Sequence, residues 1–181
     1  MICQYSFVRP LTRTRFRPSK LETHLHPCRY DPTIENVHHK TIRFRRVHFA
    51  TEIIDTAGMD EYSRLSRNAS VGVHGYALVF SIASRQSFER IAPINDALLN
   101  ALGDAQDVPR VLVGSMQDLT HQRQVSTQDA QTLAESMRIP YLECSSKTGE
   151  NVAEVFHTLM KEIERDEGLL NENEENGCSI L

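Results

Sequence analysis

Glycine is absent from the first 57 residues of this 181-residue chain, and the earliest of its eight glycines is Gly58. A phosphate-cradling loop of the G-x-x-x-x-G-K-[ST] type needs glycines ahead of a lysine, because its backbone amides must approach the phosphate closely. Residues 1–57 therefore contain no such loop. The chain also lacks any run of 18 apolar residues, so no transmembrane helix is predicted.

Cysteine is scarce, and its spacing has no metal-binding or disulfide pattern. The four cysteines are Cys3, Cys28, Cys144 and Cys178. They form no C-x-x-C pair, so neither a zinc site nor a disulfide framework is expected, and a reducing compartment fits best.

Charge divides the chain into two unequal parts. The hydrophobic fraction of 40% and charged fraction of 24% are ordinary for one soluble globular domain. The net charge of −4 combines +7 over residues 1–46 with −11 over residues 47–181. Residues 1–29 are basic and interrupted by three prolines, which predicts a disordered segment. A transit peptide, an anion-binding arm and a misassigned start of the reading frame remain alternatives.

From residue 30 onward, apolar strands alternate with amphipathic helices. Residues 41–47, 49–54, 76–82, 110–114 and 140–144 have strand patterns. Helical stripes cover residues 88–102, 130–137 and 152–163, and Ser126 to Asp129 resembles a capping box. This alternation predicts an α/β fold with a doubly wound, mostly parallel sheet, in which ligands bind beyond the carboxyl ends of the strands.

Four motifs fall at or near these predicted strand ends. They are residues 30–36 (Tyr-Asp-Pro-Thr-Ile-Glu-Asn), 55–58 (Asp-Thr-Ala-Gly), 114–118 (Gly-Ser-Met-Gln-Asp) and 144–147 (Cys-Ser-Ser-Lys). A carboxylate at Asp118 can accept two hydrogen bonds from guanine N1 and N2, which adenine cannot supply. Each motif alone is also compatible with an ordinary turn, but their order and spacing together favour a nucleotide site.

Taken together, these residues resemble the Ras-type small GTPases, and within them the Rheb group. The resemblance covers residues 30–165 and the last four residues, and it includes the Asp60-Glu61-Tyr62-Ser63 run and Gly75-Tyr76. It implies a P-loop NTPase fold and a GTP-binding switch in signal transduction that hydrolyses GTP slowly. The predicted organisation is an atypical segment at 1–29, an incomplete GTPase domain at 30–165 and an acidic tail at 166–181.

The resemblance also assigns roles to individual residues. It implies GTP or GDP and Mg²⁺ as cofactors, with nucleotide contacts from Tyr30, Thr33, Gly58, Asp118, Ser145, Ser146 and Lys147. The implied Mg²⁺ ligands are Thr33 and Asp55. The implied effector region is Asp31, Pro32, Thr33, Ile34, Glu35, Asn36 and Val37, with a second switch from Gly58 to about Val71.

Three departures from the family pattern fall on nucleotide contacts. The glycine-rich loop is absent, and Lys20 is the only lysine in the first 30 positions. Met59 stands where most of the family has a water-orienting glutamine, and a thioether cannot donate to water, so no catalytic residue is assigned. Ser115 and Met116 stand where the family has the asparagine and lysine that hold the base.

The missing region would also include the family's first strand, which lies in the centre of the sheet. Its loss would leave two buried strand edges with unsatisfied backbone groups. Residues 2–8 are compatible with a strand and are an alternative that would fill this place, in which case they must pair with residues 51–54 or 76–80.

The last four residues, Cys178-Ser179-Ile180-Leu181, fit a prenylation box in which the terminal leucine favours geranylgeranyl. Residues 161–177 carry a net charge of −5, so no polybasic stretch of the tail accompanies the lipid. We expect weak, reversible attachment to the cytoplasmic face of endomembranes, with a cytosolic pool. Expected partners are effectors, exchange factors, GTPase-activating proteins and the membrane, but not nucleic acid.

Three readings of the function remain open from sequence. The chain is a lipid-anchored small GTPase, a non-enzymatic relative that keeps the effector surface without nucleotide, or a truncated gene product. The missing loop favours impaired nucleotide binding and hydrolysis in the chain as printed.

Overall fold

A computed structural model of the chain describes residues 4–14, 35–45, 47–56, 73–103 and 108–166. The strands are β1 (Gln4–Thr14), β2 (Glu35–Phe44), β3 (Val47–Thr56), β4 (Gly75–Ser81), β5 (Arg110–Ser115) and β6 (Tyr141–Glu143). The helices are α1 (Arg85–Glu89), α2 (Ile91–Ala101), α3 (Thr127–Met137) and α4 (Val152–Asp166), with a 3-10 helix at Gln117–Gln122.

The six strands form one sheet in the order β2-β3-β1-β4-β5-β6. β4, β5 and β6 pair in parallel, and β1 runs antiparallel to both β3 and β4. Therefore β3, β4, β5 and β6 all run in one direction, and β1 and β2 run in the other. The predicted α/β fold with a mostly parallel sheet is confirmed.

Strand β1 occupies the centre of the sheet. Phe7 pairs with Ile54 of β3 on one side and with Tyr76 of β4 on the other. The alternative in which an N-terminal strand fills this place is thus confirmed, and the strand extends to Thr14. The expectation of disorder does not hold over residues 4–14, while the rest of residues 1–29 lies outside the described residues.

A proline in this central strand needs a local irregularity, because proline has no N–H to donate to a strand ladder. The register of β1 against β3 shifts between Pro10 and Thr12. The two strands remain paired beyond this bulge, where Thr14 lies opposite His48.

The faces of β4 alternate between two hydrophobic cores, as expected for a strand covered on both sides. Tyr76, Leu78 and Phe80 pack in the core that includes α2 and α3. Ala77 packs in the other core with Phe44 and the apolar stripe of α4. α4 lies so close to β4 that a Cβ at Gly75 would be 2.9 Å from Leu159 Cδ1.

Serine caps fix two of the helices. Ser84 Oγ accepts from the backbone N–H of Ser87, and Ser126 Oγ accepts from that of Asp129, so the predicted cap at Ser126 is confirmed. The single stripe predicted over residues 88–102 is instead two helices that meet at Arg90, and Pro93 lies in the first turn of α2. No helix within the described ranges has the length and apolarity that a membrane span requires.

Proline at position 6 should disrupt the centre of the sheet. Ser6 pairs with Asp55 and Ala77, so Ser6→Pro removes a ladder N–H between two partner strands. We expect a loss of about 2 kcal/mol in the free energy of unfolding, measured by urea denaturation, because a buried carbonyl loses its hydrogen-bond donor. The matched control Ser6→Ala keeps the N–H and should lose much less. Equal stability of the two variants would contradict a central β1.

Candidate functional site

The carboxyl ends of β3, β4, β5 and β6 lie together, because these four strands run in the same direction. We call this the carboxyl end of the sheet; it carries Asp55, Ser81, Ser115 and Glu143. Ligands of doubly wound sheets bind at this end. Asp118 and Ser145 follow β5 and β6 directly, and they therefore project from the same end.

Asp118, Ser145 and Lys147 come together as the sequence predicts. Ser145 Oγ donates to Asp118 Oδ1 at 2.6 Å, and Lys147 Nζ lies 3.9 Å from Asp118 Oδ2. Ser145 is fully buried, whereas the Lys147 side chain is 79% exposed. The carboxylate thus accepts a hydrogen bond from a buried hydroxyl and faces an exposed cation at the surface.

Backbone hydrogen bonds explain why Ser145 is positioned so firmly. Its N–H donates to the carbonyl of Glu150 at 3.0 Å, and its hydroxyl accepts from the N–H of Thr148 at 3.2 Å. The loop therefore closes on itself around Ser145. Across the site, the N–H of Gln117 donates to the carbonyl of Cys144 at 3.0 Å, which ties the loop after β6 to the 3-10 helix that carries Asp118.

The hydrogen bond from Ser145 lowers the pKa of Asp118 below its ordinary value, with smaller contributions from Lys147 and His121. Asp118 is therefore anionic at neutral pH. A carboxylate has about four lone-pair positions, so it retains acceptor capacity beyond Ser145. This arrangement suits a ligand with two adjacent N–H donors, such as guanine N1 and N2.

Ser115 and Met116, two of the residues that depart from the family pattern, contact β4. Ser115 Oγ donates to the carbonyl of Phe80 at 2.7 Å. Met116 has a left-handed backbone, with φ of 63°, and its sulfur accepts from Ser81 Oγ at 3.2 Å. Both side chains contact the end of β4.

Gln117 has a buried side-chain oxygen, Oε1, with no hydrogen-bond partner among the described residues. In the sequence it lies between Met116 and Asp118. An acceptor of this kind is costly when it stays unpaired, so it suits a ligand that brings a donor.

Asp55 lies near the end of β3, opposite Asn36 of β2 and Ser6 of β1. Burial raises the pKa of this carboxyl, and the nearby His38 partly offsets the effect. Within the described ranges, no cluster of three or more His, Cys, Asp or Glu side chains is arranged to hold a metal ion. Of the two Mg²⁺ ligands that the resemblance implies, Asp55 is among the described residues and Thr33 is not.

The remaining sequence-predicted residues divide between the described and undescribed parts of the chain. Glu35, Asn36 and Val37 begin the outer strand β2, and the Val37 side chain is 49% exposed. Ser146 lies exposed beside Ser145. Those outside the described residues are Tyr30, Asp31, Pro32, Thr33, Ile34, Gly58, Met59 and Cys178.

Sequence reasoning missed an ion pair that braces the site. Arg123 makes two hydrogen bonds to the Glu143 carboxylate, at 2.9 and 2.6 Å, and Tyr141 and Thr127 donate to the same group. Arg123 holds the pKa of Glu143 below its usual value. The only sign of this ion pair in the sequence is that Glu143 lies at the end of a predicted strand, because Arg123 is twenty residues away.

Gly114 allows this brace to sit close to β5. A Cβ at that position would lie 2.9 Å from the Tyr141 hydroxyl and 3.3 Å from Glu143 Cγ. Gly114, the first residue of the motif at 114–118, is thus needed for packing between β5 and β6, and it affects the position of Asp118 only indirectly.

Comparisons with known proteins agree with this geometry. A family model described as the Ras family matches residues 20–165. The chain is 42% identical over 161 residues to the GTP-binding protein Rheb homolog of Dictyostelium discoideum, covering 89% of this chain and 86% of that protein. It is 43% identical over 151 residues to the GTP-binding protein rhb1 of Schizosaccharomyces pombe, covering 83% and 81%.

The GTP-binding protein Rheb of Homo sapiens is 37% identical over 152 residues, covering 84% of this chain and 82% of that protein. The family match begins at residue 20, after β1 has ended at Thr14. The strand in the centre of the sheet therefore lies outside the matched region.

Removing the Ser145 hydroxyl should raise the pKa of Asp118 towards its ordinary value of 3.8, because the hydrogen bond is the main cause of the lowering. Carbon NMR of the Asp118 carboxyl in Ser145→Ala would measure the shift. Because the folded pKa is lowered, this bond stabilises the fold above pH 3.8 and is lost as the pH falls through the folded value. The exposed neighbour variant Ser146→Ala should leave the titration unchanged, and an equal shift in both variants would contradict the assignment.

Proposed function

The chain belongs to the Ras family, and from that membership we propose a Rheb-like signalling protein whose effector surface is kept and whose nucleotide site is incomplete. It is a Rheb-like small GTPase by descent. The proposal concerns its activity: guanine recognition is retained in part, while phosphate binding and hydrolysis are impaired.

The direction of β1 is the observation that carries this proposal. A phosphate loop follows the carboxyl end of a strand and connects it to a helix at the carboxyl end of the sheet. β1 instead brings its own carboxyl end, Thr14, beside His48 at the opposite end of the sheet. Together with the absence of glycine before Gly58, this leaves no strand-loop-helix unit of the required direction at β1.

We call the loops after β5 and β6, with Asp118, Ser145 and Lys147, the base end. The base end supports residual nucleotide recognition. Asp118, Ser145 and Lys147 would hold guanine, with Asp118 accepting its two N–H donors. Mg²⁺, when bound, would neutralise charge between the phosphates, and Asp55 with Thr33 would be its protein ligands by family resemblance.

A nucleotide-independent binding module is the second candidate function. The observation that favours it is Val37, the only exposed large hydrophobic side chain among the residues whose side chains the structure describes. It lies in the predicted effector region on β2, an outer strand of the sheet. Such a side chain is available to effectors whether or not a nucleotide is bound.

Attachment to membranes is the last part of the proposal. Cys178 would carry a geranylgeranyl group, and a single lipid chain gives weak and reversible binding. We therefore expect a partly cytosolic protein with a loosely held pool on the cytoplasmic face of endomembranes.

Titration of the purified chain with fluorescent GDP and GTP, with and without Mg²⁺, tests the nucleotide site. We expect binding weaker than micromolar and little affected by Mg²⁺, because the phosphate cradle is lacking. Whatever binding remains should fall about thirtyfold in Asp118→Asn, since a hydrogen bond to a charged group contributes about 2 kcal/mol. Ser146→Ala serves as the exposed neighbour control, because the contact that the resemblance implies for this loop comes from backbone amides, which alanine keeps.

Submicromolar, Mg²⁺-dependent binding would contradict the proposal of an impaired site. Loss of binding in Ser146→Ala equal to that in Asp118→Asn would contradict the assignment of the base end.

Replacing the lipidated thiol should release the protein from membranes. In Cys178→Ser, we expect the membrane fraction of the cell to lose most of the protein, measured by fractionation and immunoblotting. Cys3→Ser is the matched control and should fractionate as the unsubstituted chain does. Unchanged membrane association of Cys178→Ser would contradict the proposed anchor.

A further inference from the structure

Residues 36–51, the part of the β2–β3 hairpin nearest its turn, are basic in a chain that is acidic overall, whereas Glu35, Glu52 and Asp55 lie in the part nearer the carboxyl end of the sheet. Residues 36–51 contain four Lys or Arg, three His and no Asp or Glu, against a net charge of −4 for the whole chain. We call this segment the basic hairpin. The Lys40, Arg43 and Arg45 side chains are exposed, and β2 is an outer strand of the sheet.

The tip of the basic hairpin is held against α4. Arg45 Nε lies 3.5 Å from Glu164 Oε2, and a ring nitrogen of His157 bonds the carbonyl of Arg43 at 3.1 Å. The Phe44 and His157 rings also pack together, with centroids 6.1 Å apart. These contacts fix the orientation of the tip relative to the helix.

This tip is at the end of the sheet opposite the candidate nucleotide site. β3 begins at Val47, next to the tip, and runs towards Asp55 at the carboxyl end. Glu164, which contacts Arg45, lies two residues before the end of α4 at Asp166. The chain therefore leaves α4 beside the basic hairpin and away from the nucleotide site.

Cys178 follows Asp166 by twelve residues in the sequence. Twelve residues span at most roughly 43 Å when fully extended. A lipid at Cys178 would thus bring this end of the molecule, with its exposed cations, close to the bilayer surface.

We propose that the basic hairpin binds the anionic headgroups of a phospholipid bilayer. Lys40 and Arg43 supply cations to headgroup phosphates and carboxylates. A polybasic stretch in the tail would normally strengthen the membrane binding of a lipid anchor; here the tail is acidic, and the hairpin cations take that place on the folded surface. The orientation rests on the proposed lipidation of Cys178, whereas the headgroup binding itself does not.

The bilayer is favoured over other polyanions by the position of the hairpin. Its charges flank the point where the tail departs, and a bilayer is the anionic surface to which that tail would be attached. Acids farther than about 8 Å from the bilayer repel it little at physiological salt, because that is the Debye length, and Glu164 at the tip is paired with Arg45. Each cation near an anionic surface strengthens binding about fivefold.

The test uses the full chain without its lipid, flowed over captured bilayers of phosphatidylcholine with or without phosphatidylserine. We expect binding only to the bilayer that contains phosphatidylserine, weakening as salt is raised. Arg43→Gln should bind about fivefold more weakly, and Arg43→Lys should bind as the unsubstituted chain does, since it keeps the charge.

Arg85→Gln is the matched control, because Arg85 begins α1 directly after the carboxyl end of β4 and is also exposed. It removes the same charge far from the hairpin and should leave bilayer binding unchanged. Equal weakening by Arg43→Gln and Arg85→Gln would overturn the proposal, as would equal binding to both bilayers.

Two further outcomes would assign the hairpin to another occupant and overturn the proposal. One is binding to a single-stranded RNA oligonucleotide with none to the bilayer. The other is bilayer binding that emerges only after the tail acids are neutralised in Glu172→Gln/Glu174→Gln/Glu175→Gln, which would indicate that the tail occupies the hairpin. The assay uses protein without a prenyl group and contains no nucleotide, so its result is independent of the GTPase and lipidation proposals.

Discussion

The backbone groups of β3 and β4 that face each other across the centre of the sheet need hydrogen-bond partners, and β1 supplies them. Buried N–H and C=O groups without partners cost free energy comparable to lost hydrogen bonds, so two unpaired edges at this place would destabilise the whole domain. Residues 4–14 satisfy both edges at once. The packing of both cores follows, because β4 carries side chains into each of them.

Because β1 fills the centre of the sheet in the antiparallel direction, it meets the needs of the fold without meeting those of a phosphate loop. A sheet needs only backbone pairing, which either direction provides, whereas a phosphate loop needs a strand that ends at the carboxyl end of the sheet. The base end is built from β5, β6 and the loops after them, which do not depend on that direction. Asp118 and Ser145 can therefore keep their contact whichever way β1 runs.

Much of the fold and of the base end could be predicted from the sequence. The apolar run at 76–82 indicated a strand buried on both faces, and the strand-end rule brought Asp118 and Ser145 together. The direction and length of β1 could not be predicted, because they depend on register against two distant strands and on a bulge that accommodates Pro10. The partners of Met116 and Glu143 could not be predicted either, because Ser81 and Arg123 are distant from them in the sequence and come into contact only when the chain folds.

The direction of β1 is the claim on which this account rests, and interstrand NOEs in the isotope-labelled protein measure it directly. The account predicts contacts of Thr14 with His48, of Ser6 with Asp55 and of Gln4 with Val79. A parallel strand would instead place the beginning of β1 near His48 and its end near Asp55. Contacts of Gln4 with His48 and of Thr14 with Asp55 would contradict the account.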